Sequence, residues 1–355
     1  MKNIILTMVV ILLIVLTGGL IYFANIKEEK IIEKVDEKEV VKKKTTLDII
    51  DLNSKSRPYA VMIDNVTAAL PQYGLQNAFI VYEITVEGGL TRLLAVFKTE
   101  EDFVIGPIRS GRHYFLDYAM ENDAIFVHHG YSPQAIRDMN IYKIQHLDGG
   151  NNGSSVFYRD SKLYAPHNSF TTLAGLKSRS EKLGYDLETE EILLNYSIEE
   201  VDLSMYENSV NAENIEVYYS TYSKTRYVYD SEKKVYLRFY SNNMHVDGET
   251  NNQYFTKNII IIKVANMIDP YNSLKGRQTL KNVGNGEGYY ITNGFSIPIT
   301  WEKESRETKT IYKDLDGNEI KINDGNTFIQ IQPINQKTVI ESIEVIPETE
   351  ETIIE

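Results

Sequence analysis

The order of apolar and polar positions divides the 355-residue chain into a long apolar run, a charged segment and a body of short apolar runs. The run from Ile4 to Ala24 has 21 residues and no charge. A helix of this length spans about 30 Å, which is the thickness of a hydrocarbon core. The apolar region of a cleaved signal peptide is shorter, about 7–15 residues. The pattern therefore predicts an uncleaved transmembrane signal-anchor over residues 1–26.

Charged residues dominate the two segments that flank the body. Between Lys27 and Lys44, seven Lys mix with six acidic residues and scattered Ile and Val. Such a run is typical of a solvated helix or spacer, so we predict a stalk over residues 27–56. Glu341–Glu355 carries six Glu and no basic residue, which predicts an acidic tail over residues 336–355.

Strand-length apolar runs and helix-start signals alternate in the first part of the body, residues 57–205. Phe79–Val86 and Arg92–Lys98 are rich in β-branched and aromatic residues and flank a Gly-Gly turn, so an antiparallel hairpin is predicted. Ser110, and Ser132 with the proline that follows it, are typical helix starts. The pattern predicts a mixed α/β domain with a mixed sheet.

The second part of the body, residues 206–335, contains strand-length runs and few helix signals. Asn258–Val264 has the continuous apolar pattern of a buried strand, and Asp-Gly pairs at Asp316 and Asp324 predict hairpin turns. We expect a mainly β domain here. The predicted fold class of the chain is α+β, with an N-terminal transmembrane helix, a mixed α/β first domain and a mainly β second domain.

Composition narrows the chemistry that these domains can carry. The chain has no Cys, which excludes disulfides, thiolate nucleophiles and Cys-ligated metal clusters. Its 37 Lys+Arg against 50 Asp+Glu give a net charge of −13. An acidic chain without a long basic run is not expected to bind nucleic acid. No dinucleotide, phosphate-loop or metal-ligand spacing is present, so we predict neither a cofactor nor a metal.

Acidic side chains near predicted strand ends are the first candidates for catalysis. Glycoside cleavage needs one protonated and one ionised carboxyl group on either side of the bond. Glu87, beside two glycines, and Asp64, after the first strand, are the candidate acid/base residues. Glu83 is expected to form a structural ion pair with Arg92 across the hairpin. For Glu87, a catalytic and a structural role stay open.

Basic side chains follow in the next loops. Arg109 and Arg112 lie between a predicted strand and a predicted helix, where guanidinium groups and free N–H groups would bind an anion such as a carboxylate or phosphate. With Arg92 they are candidate ligand-binding residues, although a structural role for Arg109 and Arg112, which would tie the loop to the acidic body, is slightly favoured. His128 is a candidate general base and His129 a candidate ligand-binding residue. Adjacent residues on a strand point to opposite faces of the sheet. His128 and His129 can therefore serve one site only if the strand has ended.

Seven stretches of sequence carry a resemblance to a known family. In the first part they are RPYAVMIDN from Arg57, VYEITVEGGLTRLLAVF from Val81, IGPIRSGRHYFLDYA from Ile105 and DAIFVHHGYSPQA from Asp123. In the second part they are TKNIIIIKV, YYITNGFSIPITWEK and GNEIKINDGNTFIQIQP. Over residues 57–333 the chain resembles the YerB-like lipoproteins of Gram-positive bacteria, a family of unknown function with an N-terminal and a C-terminal domain.

The resemblance implies a membrane-attached, extracytoplasmic protein and no particular activity. Such lipoproteins are acylated on a Cys, and Gly19 stands where that Cys would be. The predicted span over residues 4–24 would then replace the lipid anchor. The lysines that follow the span favour a cytoplasmic body, although large domains translocate regardless of flanking charge. Because of the resemblance, we place the body outside.

Two functions of different class are compatible with this sequence, and a third, a solute-binding protein that feeds a transporter, would need a deep cleft between the two domains. The first is a binding or assembly module for a cell-envelope polymer or an envelope protein. The second is an enzyme that cleaves cell-wall glycan with Glu87 or Asp64 as acid/base. Whether the chain is an enzyme stays open, and the two hypotheses differ in whether the candidate residues meet in one site.

Overall fold

β-Branched and aromatic runs form most of the regular structure of this chain. A computed structural model describes residues 46–151, 156–191, 193–269 and 275–343. Within these ranges the chain forms 24 strands, three α-helices and four short 3₁₀-helices. Strands therefore position most of the side chains considered below.

The elements have the following bounds. The first nine strands are β1 (Tyr59–Asn65), β2 (Ile80–Thr85), β3 (Thr91–Phe97), β4 (Val104–Ile105), β5 (Ile125–His128), β6 (His146–Asp148), β7 (Phe157–Arg159), β8 (Ser169–Thr172) and β9 (Tyr196–Ser197). The other strands are β10 (Val210–Asn211), β11 (Asn214–Tyr218), β12 (Lys224–Asp230), β13 (Val235–Tyr240), β14 (Asn243–Met244), β15 (Phe255–Thr256), β16 (Asn258–Val264), β17 (Asn266–Ile268), β18 (Gln278–Leu280), β19 (Gly284–Thr292), β20 (Phe295–Lys303), β21 (Ile311–Lys313), β22 (Ile322–Asn323), β23 (Thr327–Pro333) and β24 (Thr338–Glu341). The helices are α1 (Phe115–Glu121), α2 (Pro133–Ile141) and α3 (Leu173–Lys182).

One 11-stranded sheet runs through both parts of the body. Its order is β10-β20-β19-β16-β23-β2-β3-β1-β5-β6, and β21 pairs with β20. The predicted hairpin is confirmed, because β2 and β3 pair antiparallel. At the centre, β2 pairs in parallel with β23, with Ile80 opposite Thr327. The two parts of the body therefore share one continuous sheet.

Both faces of this sheet are covered. Along β1, alternate side chains enter different apolar clusters, as the two-residue period of a strand requires. Met62 packs on the side of α1 and α2, where Phe115 and Met139 lie. Val61 packs on the other side with Tyr227 of the six-stranded sheet, whose order is β14-β13-β12-β11-β24 with β15 on β13. The sheet is thus buried on both faces.

Of the two predicted helix starts, Ser132 and Ser110, the structure confirms the first. Ser132 caps α2, because its Oγ accepts a hydrogen bond of 3.1 Å from Ala135 N, as predicted. Ser110 does not cap a helix, since α1 begins only at Phe115 and Ser110 Oγ donates to His129 O at 2.9 Å. That loop is instead fixed by contacts with the end of the sheet.

The predicted α+β fold class is wrong. Strand is the predominant regular structure of the described residues, and their three α-helices have only 7, 9 and 10 residues. No helix in the described part of the chain is long and apolar enough to cross a membrane; the predicted span over residues 4–24 lies outside the described residues. The prediction failed for the body because strands from both parts pair into one continuous sheet.

The ends of the described body are more ordered than the sequence pattern indicates. Leu47 and Ile50, placed in the predicted stalk, are buried in the apolar core. The backbone N–H groups of Asp48 and Ile49 donate to the carboxylate of Asp324 at 2.7 and 3.0 Å. In the predicted tail, β24 pairs with β11. The bounds of the predicted segments stay predictions.

Candidate functional site

Two neighbouring strands bring the first pair of polar side chains together. Asp64 is the last residue but one of β1, and it lies directly opposite Arg92 of β3 in the antiparallel register. Opposite residues of such a pair project from the same face with Cβ atoms about 4.5–5.5 Å apart. Both side chains are almost fully buried, with 1% and 6% of their surface exposed. The end of β1 is therefore one wall of the candidate site.

A loop after β4 adds two more arginines to this wall. Arg109 N donates to Met62 O at 2.9 Å, and Asp64 N donates to Pro107 O at 2.8 Å. These bonds hold the loop against the end of β1. The path requires a close approach at Gly106, where a Cβ would lie 2.6 Å from Phe170 Cδ1. Backbone contacts thus place this loop next to the strand end.

Ion pairs account for two of the three arginines. Arg109 Nε lies 2.9 Å from Asp64 Oδ2, without the alignment of a hydrogen bond. Arg112 donates from Nε and Nη2 to the two carboxylate oxygens of Glu87 at 2.6 and 3.0 Å. The second pair is bidentate, which is the strong geometry for arginine and carboxylate. Each carboxylate therefore has its own arginine.

Arg92 is the arginine without a carboxylate of its own. Arg92 Nη1 donates a hydrogen bond to Ser110 O at 2.5 Å. Among the described residues, no carboxylate lies within ion-pair distance of Arg92. Burial, and then the positive charges of Arg112 and Arg109, lower the pKa of Arg92 to about 10. The side chain stays protonated at neutral pH. It is a nearly buried cation whose charged form is disfavoured by Arg112 and Arg109 and favoured by Glu87 and Asp64.

Arg112 holds the carboxylate of Glu87 in its charged form. Burial alone would raise the pKa of Glu87, but the hydrogen bonds and charge of Arg112 outweigh it, and the pKa is lowered. A general acid needs a raised pKa to hold its proton near neutral pH. The surroundings of Glu87 therefore favour an ionised, structural carboxylate.

His167 also belongs to the cluster, and the sequence analysis missed it. Its Nδ1 lies 2.7 Å from Asp64 Oδ2, the oxygen that Arg109 also approaches. The segment before β8 that carries His167 has no motif or periodicity. The only signal was the concentration of five of the six His between His113 and His167. We call Arg92, Arg109, Arg112, Asp64, Glu87 and His167 the arginine cluster.

The two predicted histidines, His128 and His129, form hydrogen bonds with residues outside this cluster. His128 is fully buried; its Nδ1 lies 2.9 Å from Gly130 O and its Nε2 3.0 Å from His146 Nδ1. The carbonyl only accepts, so Nδ1 carries the proton and Nε2 accepts from His146. Burial lowers the pKa of His128 to about 4. With both nitrogens bonded inside the protein, His128 cannot reach a substrate proton.

His129 is committed in the same way. Its Nε2 lies 2.9 Å from Arg159 Nη2, and its Nδ1 lies 2.7 Å from Ser169 Oγ. Because arginine only donates, Nε2 is the acceptor and Nδ1 donates to the serine. A base for a serine nucleophile would have to accept that proton instead. The Ser169–His129 contact therefore does not form a nucleophile–base pair.

Glu83 pairs with a residue from the second part of the body, so the expected pair with Arg92 is wrong. Glu83 Oε2 accepts a hydrogen bond from Arg238 Nη2 at 2.8 Å, and both side chains are buried. In the hairpin register Glu83 faces Leu93, whereas Arg92 faces Ile84. Glu83 and Arg92 thus project from opposite faces of the sheet.

No metal site accompanies these groups. Among the residues that the structure describes, no three His, Asp or Glu side chains are grouped so that they could hold a metal ion. The arginine cluster can do what its donors allow, which is to bind an oxyanion through guanidinium N–H groups.

Comparison with known proteins places the chain in a family. Residues 45–186 match "Protein of unknown function (DUF3048) N-terminal domain", and residues 215–329 match the C-terminal domain of the same description. The chain is also 31% identical to "Putative lipoprotein YerB" of Bacillus subtilis (strain 168) over 285 residues, 79% of this chain and 82% of that protein. The chain belongs to this family of two-domain YerB-like proteins. The resemblance indicated by the sequence motifs is confirmed.

A solved structure supports the same relationship. The crystal structure of YerB protein from Bacillus subtilis is similar to this chain with a TM-score of 0.72 and 29% identity. The match covers 83% of this chain and all of that chain. The fold described above is therefore shared with this member of the family.

Proposed function

We propose that this protein is a membrane-attached, extracytoplasmic binding module, and that the arginine cluster holds an anionic group of a cell-envelope polymer or envelope protein. The single observation that carries the proposal is Arg92. This protonated side chain is 6% exposed and has no carboxylate within ion-pair distance among the described residues; the charges of Arg112 and Arg109 disfavour it, and the more distant charges of Glu87 and Asp64 favour it. A buried cation of this kind is costly unless an anion pairs with it. An external anion is the missing partner.

The location rests on the relative. "Putative lipoprotein YerB" is named for a lipid anchor, and a lipoprotein body faces the outside of the membrane that holds it. The arginines are partly open to solvent at this body's surface, with 20% of the Arg109 side chain and 13% of the Arg112 side chain exposed. A polymer or protein in the envelope could therefore reach them.

The alternative function, glycan cleavage by Glu87 or Asp64, has weaker support. Both carboxylates lie within ion-pair distance of an arginine, and the pKa of Glu87 is lowered by Arg112 despite burial. A glycosidase needs one carboxyl group that stays protonated until it gives its proton to the leaving oxygen. Binding needs no such group, so it is the function that the geometry supports better.

The proposal is tested by retention of the full-length chain, kept in mild detergent, on purified cell-envelope material. We expect retention that weakens with salt, as charge pairing requires, and that falls at least tenfold in Arg92→Gln. Arg137→Gln is the matched control, because Arg137 is 63% exposed on α2 and pairs with Asp138. Equal retention of both variants and the native chain would overturn the proposal.

The same incubation separates the two functions. Mass spectrometry of the supernatant reports any soluble glycan fragments. We expect none from the native chain. Fragments that the native chain releases and that Glu87→Gln does not release would establish cleavage and displace the binding proposal.

A further inference from the structure

We propose that Arg159 forms a second anion-binding position beside the arginine cluster, and that the ligand is therefore a chain with anionic groups at several points, such as an acidic polymer of the cell envelope. The inference rests on the proposed function, since it names the ligand class of the same site. It is carried by the uncharged groups that hold Arg159, by its exposure, and by its place next to Arg109.

Two uncharged side chains hold the guanidinium group of Arg159. Its Nη1 donates to Asn168 Oδ1 at 2.8 Å, and its Nη2 donates to His129 Nε2 at 2.9 Å. Fixing an arginine side chain costs about 1.5–2 kcal/mol of conformational entropy. In a structural ion pair, a carboxylate offsets this cost and neutralises the charge as well. Here an amide oxygen and an imidazole nitrogen fix the side chain, so the positive charge is kept in a defined position.

The acidic groups near Arg159 are bonded to other partners. Among the described residues, no carboxylate lies within ion-pair distance of Arg159. Asp160 Oδ1 accepts a hydrogen bond from the backbone N of Lys162 at 2.8 Å, and Asp148 Oδ1 accepts one from Gly130 N at 2.9 Å. Both Arg159 and Lys162 are exposed. The surface at this hairpin is therefore open to an anion from solution.

Strands β7 and β8 place Arg159 next to the loop that carries Arg109. Arg159 of β7 lies opposite Ser169 of β8 in the antiparallel register. Ser169 O accepts a hydrogen bond of 2.6 Å from Ile108 N, and Arg109 is the next residue. Because neighbouring strands are about 4.8 Å apart, the backbones of Arg159 and Ile108 are roughly 10 Å apart.

His129 joins the two arginines on a second path. Its backbone N donates to Arg109 O at 3.0 Å, and its ring accepts from Arg159. Burial, and then the charge of Arg159, lower the pKa of His129; Arg109 acts in the same direction, and Asp148 opposes both arginines. The positive charges of Arg109 and Arg159 therefore act on the same ring.

Two separate positions select a chain as the ligand. Arg109 is directed toward Asp64, whereas Arg159 is held by His129 and Asn168, so one small anion does not reach both guanidinium groups as they are placed. A chain that fills one position binds the second intramolecularly, which raises affinity by about 10²- to 10⁴-fold when the spacing fits. Phosphate and carboxylate groups both suit a guanidinium group.

The test is calorimetric titration of the full-length chain, kept in mild detergent, with sodium sulfate and with two anionic chains of similar length, inorganic polyphosphate and polyglutamate. Sulfate offers one anionic group and reports the arginine cluster, so Arg92→Gln should abolish its binding. We expect at least one of the two chains to bind about tenfold or more tightly than sulfate. The chain that does so identifies phosphate or carboxylate as the anionic group.

Arg159→Gln should keep the native affinity for sulfate, within about twofold, and lose the additional affinity for the anionic chain. Arg226→Gln is the matched control, because Arg226 is likewise held by an amide oxygen, Asn214 Oδ1 at 2.7 Å. Its neighbour Tyr227 packs toward the 11-stranded sheet, so Arg226 points away from that sheet. This variant should bind sulfate and the anionic chain as the native protein does.

Three results would overturn the inference and leave the proposed function standing. The first is an Arg159→Gln variant that binds the anionic chains as tightly as the native protein. The second is equal affinity of the native protein for sulfate and both chains. The third is loss of sulfate binding in Arg159→Gln with a native circular-dichroism spectrum, which would place Arg159 in a single site with the arginine cluster. If neither sulfate nor a chain binds to the native protein, the proposed function fails as well.

Discussion

Two arginine–carboxylate clusters in this protein follow opposite rules. In the interior, Glu83 and Arg238 are 1% and 0% exposed, and Glu83 also accepts hydrogen bonds from Asn65, Thr91 and Thr225. At the end of β1, where Arg109, Arg112 and Glu87 are partly exposed, the arginine cluster holds three guanidinium groups against two carboxylates. Burial requires every charge to be paired, whereas a binding site keeps one charge for its ligand. In the proposed function, this excess charge is what the arginine cluster keeps for its ligand.

The two clusters share the end of β1. Asn65 donates to Glu83 in the interior at 3.0 Å, and Gln72 donates to the backbone oxygen of Asp64 at 2.9 Å. His245 joins them, because its ring contacts both Arg238 and Gln72. The buried Glu83–Arg238 pair and its neighbours thus support the strand end that carries the arginine cluster.

Breaking the interior pair is expected to have the largest effect. Arg238→Met leaves the buried carboxylate of Glu83 without its cation, and removing one partner of a buried pair costs about 3–5 kcal/mol. Urea unfolding followed by circular dichroism measures this loss. Arg226→Met on the same strand pair is the control, because Arg226 is only half-buried and pairs with Asn214; its cost should be well below that of Arg238→Met.

The double variant Glu83→Leu/Arg238→Met separates pairing from packing. Replacing both charges by apolar groups removes the unpaired carboxylate, so stability should recover by several kcal/mol relative to Arg238→Met. A double variant as unstable as the single one would show that the shape of the pair, rather than its charge balance, matters in the interior.

Lowering the pH is expected to reduce the free energy of unfolding by a smaller amount than Arg238→Met does. Burial lowers the pKa of His128 to about 4, and burial together with Arg238 lowers that of His245 well below 6.5. The unfolded chain binds these protons first, so stability is lost as pH falls below about 6.5, by up to about 1.4 kcal/mol per pH unit for each histidine. Asp117, whose pKa burial raises to about 6, has the opposite sign and offsets part of this loss.

Urea unfolding at pH 7, 6 and 5 measures the slope. His128→Asn can keep the hydrogen bond to Gly130 O but cannot titrate, so its slope should be smaller than that of the native chain by the share of one histidine. A native chain equally stable at all three pH values would contradict the view that the interior excludes unpaired charge.

Local signals in the sequence predicted the parts of the fold that are local. The β2–β3 hairpin and the Ser132 cap of α2 involve residues close in sequence, and both are present. The parallel pairing of β2 with β23 joins residues about 250 positions apart, such as Ile80 and Thr327. Hydrophobic periodicity indicates that a strand is buried but not which strand pairs with it. That long-range pairing made the predicted fold class wrong.

The same limit explains which cluster residues could be predicted. The sequence predicts polar residues at or near strand ends, and these ends meet in the sheet for Asp64, Glu87, Arg92, Arg109 and Arg112. His167 was missed because its position depends on how the segment before β8 returns to β1. Arg238 was missed as the partner of Glu83 because the two residues are 155 positions apart.

Removing the unpaired charge should leave stability almost unchanged. Arg92→Gln can still donate to Ser110 O, and it relieves repulsion from Arg109 and Arg112, so we expect the free energy of unfolding to change by less than about 1 kcal/mol, in either direction. The same variant should lose sulfate binding. A loss of stability as large as that of Arg238→Met would make the surface cluster structural, and the contrast with the interior would disappear.

Glu87→Gln should have the smallest effect on stability, and it tests directly whether Glu87 competes with the ligand for Arg112. It removes a carboxylate from Arg112 but keeps the shape of the side chain, and the pair is partly solvated, so the cost in stability should be about 1 kcal/mol or less. Arg112 then joins Arg92 as a second unpaired cation, and sulfate should bind severalfold more tightly because the net charge of the cluster rises by one. Arg112→Gln removes a cation instead and should weaken binding. Calorimetric titration of both variants decides the matter, since weaker binding in Glu87→Gln would mean that Glu87 holds Arg112 in its binding geometry rather than competing with the ligand for it.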